Sequence, residues 1–325
     1  MKLALSLTLL TALLALASLM LGYAPLPPKA VLGGLMGAGD PLHVMVMQEI
    51  RLPRTALAVL VGAALGLSGA AMQGYLRNPL AEPGLIGVSG SAALGAVIAL
   101  QTGLAGAFAL ALPLTALLFA LGAVGLILLL AGPRGGSLTL ILAGIAVSAL
   151  AGALTSLALN LSSNPYATFE IVFWMMGSLA DRSLSHLALA APLIALGGAT
   201  LLTLGRGLDA LTLGEDGAQA LGISMTSLRL RLLFGTAAAV GAATAVAGAV
   251  GFVGLVVPHL LRPLCGARPS RLLWASAIGG AAILLAADIA VRLVLPERDL
   301  KLGVVMALIG APLFLHLIYK TRRAG

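Results

Sequence analysis

The sequence predicts an all-α polytopic membrane protein with about ten transmembrane helices. Of its 325 residues, 60% are hydrophobic and 9% are charged, whereas soluble domains carry about 25% charged residues. A lipid bilayer is the solvent that matches so much apolar surface. At about 20 residues a span, the chain has room for roughly ten helices. The apolar runs are long and do not alternate with polar residues, which argues against a transmembrane β-barrel.

An internal repeat predicts that these helices form two related halves of one domain, 1–325. At a constant offset of 179 residues (240 − 61) and without a gap, 61–64 matches 240–243, 69–70 matches 248–249, and Pro79 matches Pro258. Repeated membrane segments are typical of transporters built around a central pathway. Chance similarity in an Ala/Gly-rich chain is the alternative. The halves are expected at about 54–160 and 232–319.

Ten apolar segments, each bounded by Pro, Gly or charge, are the predicted spans. They are 3–22, 54–76, 84–101, 105–131, 138–160, 187–204, 232–250, 252–265, 272–294 and 302–319. The first could be a signal peptide, but its apolar core exceeds the usual 7–15 residues, so we interpret it as a span. The eighth is short and carries Pro258 and His259, as is typical of an interrupted element beside a pathway.

The distribution of cations predicts the orientation. With the N-terminus in the cytoplasm, twelve basic residues lie inside: Lys2, Arg77, Arg134, Arg206, Arg229, Arg231, Arg262, Arg268, Arg271, Lys320, Arg322 and Arg323. Seven lie outside: Lys29, Arg51, Arg54, Arg182, Arg292, Arg298 and Lys301. This bias follows the positive-inside rule and places both termini in the cytoplasm. The two halves are then inverted, because 54–76 runs inward and 232–250 runs outward. The net charge of +8 therefore indicates topology, and we expect no nucleic-acid partner.

Three segments interrupt the apolar pattern. Residues 23–53 and 161–186 lie outside, and within the second the apolar stretch 169–179 predicts a short re-entrant or interfacial helix. Residues 205–231 form the longest polar segment inside, with helical character over 218–227. Such a segment can bind a soluble partner or serve as a solvated connector, and composition does not decide between the two.

The chain lacks the motifs of an enzyme or of a metal site. None of its four lysines stands in a phosphate-binding Gly-x-x-x-x-Gly-Lys-[Ser/Thr] context. The four histidines and the single cysteine match no metal spacing. We therefore predict no catalytic residues, metal or cofactor, and any ATPase must be another chain.

Two local patterns predict packing contacts. Gly62 and Gly66 form a small-residue motif that lets helices approach closely. Asp288 and Arg292, four residues apart in an apolar run, share one helix face and can pair. Such an intramembrane pair is either a functional site or a self-neutralising structural contact.

Longer motifs resemble one known family. In the first half they are Arg51-Leu52-Pro53-Arg54-Thr55, Val61-Gly62-Ala63-Ala64-Leu65, Ser68-Gly69-Ala70, Met72-Gln73, Asn78-Pro79-Leu80-Ala81-Glu82-Pro83-Gly84 and Gly87-Val88-Ser89-Gly90. In the second half they are Leu221-Gly222, Gly251-Phe252-Val253-Gly254-Leu255, Pro258-His259, Leu285–Asp288, Gly303-Val304-Val305 and Gly310-Ala311-Pro312. Together these resemble the permease subunits of ABC importers for ferric siderophores, haem and cobalamin, over nearly the whole chain.

The resemblance implies a transport subunit of the bacterial inner membrane. It implies a homodimer of ten-helix permeases in contact with membrane lipid, two ATP-binding-cassette ATPase subunits on the cytoplasmic side, and a periplasmic substrate-binding protein outside. The substrate would pass along the dimer axis, lined mainly by the fifth and tenth spans.

Residue roles also follow from the resemblance. Arg51, Arg54 and Arg292 correspond to outward-facing arginines that receive carboxylates of the binding protein, a contact suited to guanidinium groups. Asn78 and Leu80 correspond to the cytoplasmic gate. Ser137 and Leu138 lie where the family has a second constriction, although the sequence around them differs from that of the family. Residues 209–226 resemble the segment that binds the ATPase, and its central residues are Glu215, Asp216, Ala220, Leu221, Gly222 and Ile223.

The predicted function is import of an iron chelate, either a ferric siderophore or haem. A cobalamin importer of the same family is the close alternative. A self-sufficient secondary transporter is a different class, which usually needs ionisable groups within its spans for ion coupling. This chain has one such aspartate, Asp288, with Arg292 four residues away. An intramembrane enzyme lacks a candidate set of catalytic residues.

Overall fold

Helices joined by short loops make up the structure, a computed structural model that describes residues 2–22, 24–108, 110–132, 136–162, 165–294 and 300–324. No strand occurs among these residues, which confirms the all-α prediction. The first seven helices are α1 (Lys2–Met20), α2 (Pro28–Leu35), α3 (Pro41–Met45), α4 (Leu52–Leu76), α5 (Val88–Gln101), α6 (Ala111–Ala131) and α7 (Ser137–Asn160). The others are α8 (Pro165–Met175), α9 (Leu184–Leu202), α10 (Gly205–Leu211), α11 (Glu215–Ala220), α12 (Met225–Ala247), α13 (Val253–Leu261), α14 (Pro269–Val294) and α15 (Leu302–Ala324).

Every predicted span overlaps one of these helices. Seven are long and apolar enough to cross a membrane, namely α1, α4 with its N-terminal extension, α6, α7, α9, α12 and α14. The remaining three spans correspond to α5, α15 and the nine-residue α13. The polytopic architecture is thus confirmed. The orientation stays a prediction, and Arg134 and Arg298, which were counted for it, lie outside the described residues.

Two segments differ from the prediction. The second span begins earlier than residue 54, because α3 runs through a π-helical turn, Val46–Arg51, into α4. Asp40 starts this helix by accepting a hydrogen bond from the backbone N–H of Leu42, and Pro41 suits the first turn. The predicted helix over 218–227 is interrupted, because α11 ends at Ala220 and α12 begins only at Met225. The chain turns at Gly222, whose φ of +81° favours glycine, before α12 begins.

The core is organised around α4 and α12. About 78% of the α4 span and 83% of the α12 span are buried, against 6% of α1. Glycines let α4 touch its neighbours: a Cβ on Gly62 would overlap the carbonyl oxygen of Gly280, and one on Gly66 would overlap that of Ser276. This confirms the predicted close approach.

The two central helices pack on opposite halves of the chain. α4 packs against α13 and α14, whereas α12 packs against α5 and α6. The two related halves stay a prediction. The gap-free register of the repeat does not extend over its whole length, however. Gly69 lies inside α4, but its counterpart Gly248 ends α12 with a φ of +72°, because the chain must leave the helix there to begin α13.

Candidate functional site

One carboxylate at the N-terminal end of α4 pairs with two arginines. Asp288 on α14 accepts contacts at 2.9 Å from Arg54 Nη2 on α4 and from Arg292 Nη2 on its own helix. Arg54 Nε lies 3.0 Å from the same carboxylate. Only 1% of the Asp288 side chain is exposed. The predicted pairing of Asp288 with Arg292 is confirmed, and Arg54 is a third member that sequence spacing did not indicate.

Two arginines also hold the C-terminal end of α1. Arg51 Nη1 donates to the carbonyl oxygens of Leu19 and Met20 at 2.8 and 2.9 Å, and Arg51 Nη2 donates to that of Ala24. Arg292 Nη1 donates to the carbonyls of Ser18 and Leu21 at 2.9 and 2.8 Å. Helix C-termini carry unpaired carbonyls and partial negative charge, so these guanidiniums serve as caps. We call Arg51, Arg54, Arg292 and Asp288 the arginine cluster.

Arg51 and Arg292, which are predicted to face outward, are buried in this structure. They are 4% and 5% exposed, because their donors point at α1 and Asp288 rather than away from the bundle. Arg54 is the most accessible of the cluster, with 12% of its side chain exposed. Binding-protein docking by these residues stays a prediction.

The predicted gate residues lie in a turn at the opposite end of α4. Arg77 ends α4 in the left-handed conformation, with φ 49°. Asn78 Oδ1 then accepts a hydrogen bond from the N–H of Leu80 at 2.9 Å, a local turn that asparagine favours. The Leu80 side chain is 39% exposed. We call residues 77–87 the gate loop.

The second predicted constriction is at the start of α7. Leu138 is 69% exposed there. Ser137 is the first residue of α7, and its side chain lies outside the described part of the chain. α7 meets the gate loop at Gly87, where a Cβ would lie 3.0 Å from Val147 Cγ1. The contact between these two elements therefore involves the middle of α7 rather than Leu138.

Asp209 joins the polar segment 205–231 to α14. Its carboxylate accepts hydrogen bonds from the Ser270 N–H at 2.8 Å, the Ser270 hydroxyl at 2.7 Å and Arg268 Nε at 2.8 Å. Burial alone would raise the pKa of Asp209, but the hydrogen bonds from Arg268 and Ser270 outweigh it and hold that pKa below its usual range. The segment therefore caps the N-terminus of α14, whose other end carries Asp288.

Exposed apolar residues flank α11 on the same segment. Leu213 and Leu221 are 71% and 63% exposed. Among the predicted coupling residues, Asp216, Ala220 and Gly222 are exposed, whereas Glu215 and Ile223 are half-buried and line a cavity of about 590 Å³ with Tyr75, Gln219 and Arg229. Apolar side chains exposed beyond the membrane-spanning helices are typical of a protein contact.

Comparison with known proteins identifies the family. The profile of the FecCD transport family matches residues 9–320. The chain belongs to this family. The permease is 41% identical over 286 residues to the hemin transport system permease protein HmuU of Yersinia pestis, covering 84% of this chain and 83% of that protein. It is 40% identical over 324 residues to the vitamin B12 import system permease protein BtuC of Salmonella paratyphi A, covering 98% and 95%.

A solved structure supports the same fold. It is described as an inward-facing conformation of a metal-chelate type ABC transporter, with a TM-score of 0.87, 36% sequence identity, and coverage of 98% of this chain and 99% of that one. The permease is therefore a multi-pass membrane-spanning subunit of an ABC transporter, as the sequence motifs implied.

Proposed function

We propose that the permease moves an iron chelate, a ferric siderophore or haem, from the periplasm into the cytoplasm of a bacterium. The observation that carries this proposal is the similarity to a hemin permease over 84% of this chain, together with the likeness to a metal-chelate transporter structure. Import of cobalamin is the second candidate, because the similarity to a vitamin B12 permease covers 98% of the chain.

A titration of the periplasmic binding protein that works with the permease would separate these two candidates. We expect its intrinsic fluorescence to be quenched by a ferric siderophore or by haem at micromolar concentration or below, and not by cyanocobalamin. The iron-free siderophore and metal-free protoporphyrin are the controls for the metal. Selective binding of cyanocobalamin would replace the iron chelate by the second candidate.

ATP hydrolysis belongs in this proposal to two separate ATPase subunits that bind the segment 205–231. The exposed Leu213 and Leu221 beside α11 support this assignment, since two apolar side chains flanking one short helix on the surface offer area that a partner protein can cover. Asp209 would pass a displacement of the segment on to α14 through its three hydrogen bonds. Both termini lie in the cytoplasm in this arrangement.

The periplasmic binding protein docks in this proposal at the arginine end of α4. Arg54 is its most accessible cation, and a carboxylate from the partner would compete there with Asp288. Arg51 and Arg292 would act mainly through α1, which they hold.

The working unit is a homodimer in this proposal, with the pathway along its axis. One face of α7 supports it: Leu138, Leu142 and Ile145 are 69%, 57% and 50% exposed. Such a face needs lipid or a second copy to cover it. The gate loops of the two protomers would then oppose each other below the pathway.

Cysteine crosslinking tests the dimer and the gate together. In a Cys265→Ser background, Leu80→Cys should form a disulfide-linked dimer under mild oxidation, and the crosslink should block transport while leaving binding-protein docking intact. Leu5→Cys, on the exposed face of α1, is the control that should stay monomeric. Absence of a Leu80→Cys crosslink in every nucleotide state would remove this loop from the gate.

A further inference from the structure

A half-buried carboxylate connects the gate loop to the second half of the chain. Glu82 Oε1 accepts a hydrogen bond from the backbone N–H of Phe252 at 2.8 Å. The residue lines a cavity of about 200 Å³ together with Leu65 of α4 and Gly251. Phe252 is the residue from which α13 starts, where backbone donors lack partners within the helix. Glu82 in the gate loop thus supplies the hydrogen-bond acceptor that the first turn of α13 lacks.

Phe252 has a strained backbone. Its φ is +67° and its ψ is −23°. This left-handed region is rare for a bulky residue, because the Cβ approaches the following backbone. Such a conformation persists only where the surrounding structure holds it, and it is most frequent at functional sites. The hydrogen bond to Glu82 acts directly on the strained residue.

The ring of Phe252 lies against α15. A Cβ placed on Gly310 would overlap the Cβ and Cγ of Phe252 and would lie 2.6 Å from its Cδ1. Glycine at 310 is therefore what lets the aromatic ring reach the α15 backbone. Gate loop, Phe252 and α15 form one continuous set of contacts across the two halves.

We propose that Glu82 is a positioning residue of the transport cycle: it holds Phe252 in its left-handed conformation and so ties the gate loop to α15. The inference rests on the proposed function, in which Leu80 in the same loop closes the cytoplasmic end of the pathway, and on the expectation that the tenth span, α15, lines that pathway. When Glu82 is bonded to Phe252, the loop and the pathway helix move together. When the bond is lost, the loop moves independently and the gate leaks or fails to follow α15.

The first test reads the gate without any substrate. In the Cys265→Ser background, the assembled permease with its ATPase subunits is placed in lipid nanodiscs, and the rate at which a charged maleimide modifies Leu80→Cys is measured. Glu82→Ala removes the acceptor and should raise this rate about tenfold, since it leaves the backbone N–H of Phe252 without its hydrogen-bond partner. Glu82→Gln keeps an acceptor oxygen and should stay within about twofold of wild type. Glu170→Ala, which removes an exposed carboxylate, is the matched control.

The second test asks whether Glu82 acts through Phe252. Phe252→Gly removes both the ring and the strain, so Glu82→Ala should add no further change in labelling rate in that background. Gly310→Ala should raise the rate as Glu82→Ala does, and should be tolerated once Phe252→Gly has made room. Gly122→Ala, where an added Cβ meets nothing within 4 Å, is its control.

The outcomes are distinct. An unchanged labelling rate in a folded Glu82→Ala protein overturns the proposal, and so do additive effects of Glu82→Ala and Phe252→Gly. If Glu82→Ala does not fold, the labelling rate is compared between Phe252→Gly and the double variant Phe252→Gly, Glu82→Gln. A rate near wild type in Phe252→Gly overturns the proposal. A raised rate in Phe252→Gly that is the same in the double variant supports it. Failure of chelate uptake by the wild type would count against the proposed function and leave the labelling result to be judged separately.

Discussion

Replacing Asp288 with alanine should destabilise the permease by about 3–5 kcal/mol, as is typical when one partner of a buried ion pair is removed. Two guanidiniums share this carboxylate, and Arg292 is 5% exposed, so without Asp288 its charge would stay buried with only neutral acceptors on and beside α1. The loss should appear as a lower thermal unfolding midpoint of the purified protein in detergent.

Two further variants make this prediction specific. Asp216→Ala removes an exposed carboxylate on α11 and should change stability by less than about 0.5 kcal/mol, as is usual for surface positions. Replacing Asp288, Arg54 and Arg292 together by leucine should recover part of the loss, because an apolar set leaves no buried charge unpaired. If Asp288→Ala unfolds at the wild-type temperature, the arginine cluster does not hold α1, α4 and α14 together.

Replacing Gly69 with alanine should prevent α4 from packing against α13. The added Cβ would overlap the carbonyl oxygen, carbonyl carbon and Cα of Gly254, and backbone atoms cannot turn aside as a flexible side chain can. Overpacking commonly costs about 1–3 kcal/mol and costs more where the neighbour cannot move. We expect most of the variant to aggregate on extraction, as measured by size-exclusion chromatography.

Gly125→Ala in α6 is the matched control for this substitution. It makes the same chemical change in another membrane helix, where the new Cβ meets nothing within 4 Å. It should purify like the wild type. A Gly69→Ala protein that elutes and unfolds like the Gly125→Ala protein would show that the close approach of α4 and α13 is not needed for the fold.

Hydropathy predicted where the apolar helices lie and in what order, because burial in lipid demands long apolar segments. It predicted the ends of these helices less well where a nearby side chain or a turn forms the hydrogen bonds of the terminal backbone groups. The start of the second span was missed because Asp40 and Pro41 open a helix inside a Pro- and Gly-rich segment. The helix predicted over 218–227 is divided between the end of α11 and the start of α12, because the chain turns at Gly222.

The arginine cluster was predicted in part. Contacts between neighbouring residues of one helix could be predicted, whereas contacts between residues far apart in the sequence could not. Spacing of four residues on one helix indicated the Asp288–Arg292 pair. The contact from Arg54 comes from 234 residues away, and no local pattern marks it. The roles of Arg51 as a cap on α1 and of Glu82 as the partner of Phe252 likewise depend on tertiary packing. The one sequence feature that could have pointed to Arg51 and Glu82 is that each is a charged residue next to an apolar segment.

ATP-driven uptake into proteoliposomes tests the central claim most directly. The permease would be reconstituted with its ATPase subunits, with ATP inside the vesicles and the binding protein loaded with iron-labelled chelate outside. Our account predicts accumulation of the label that stops when the ATPase, the binding protein or the ATP is omitted one at a time. Uptake by the permease alone, driven by an ion gradient without ATP, would contradict it and establish a secondary transporter instead.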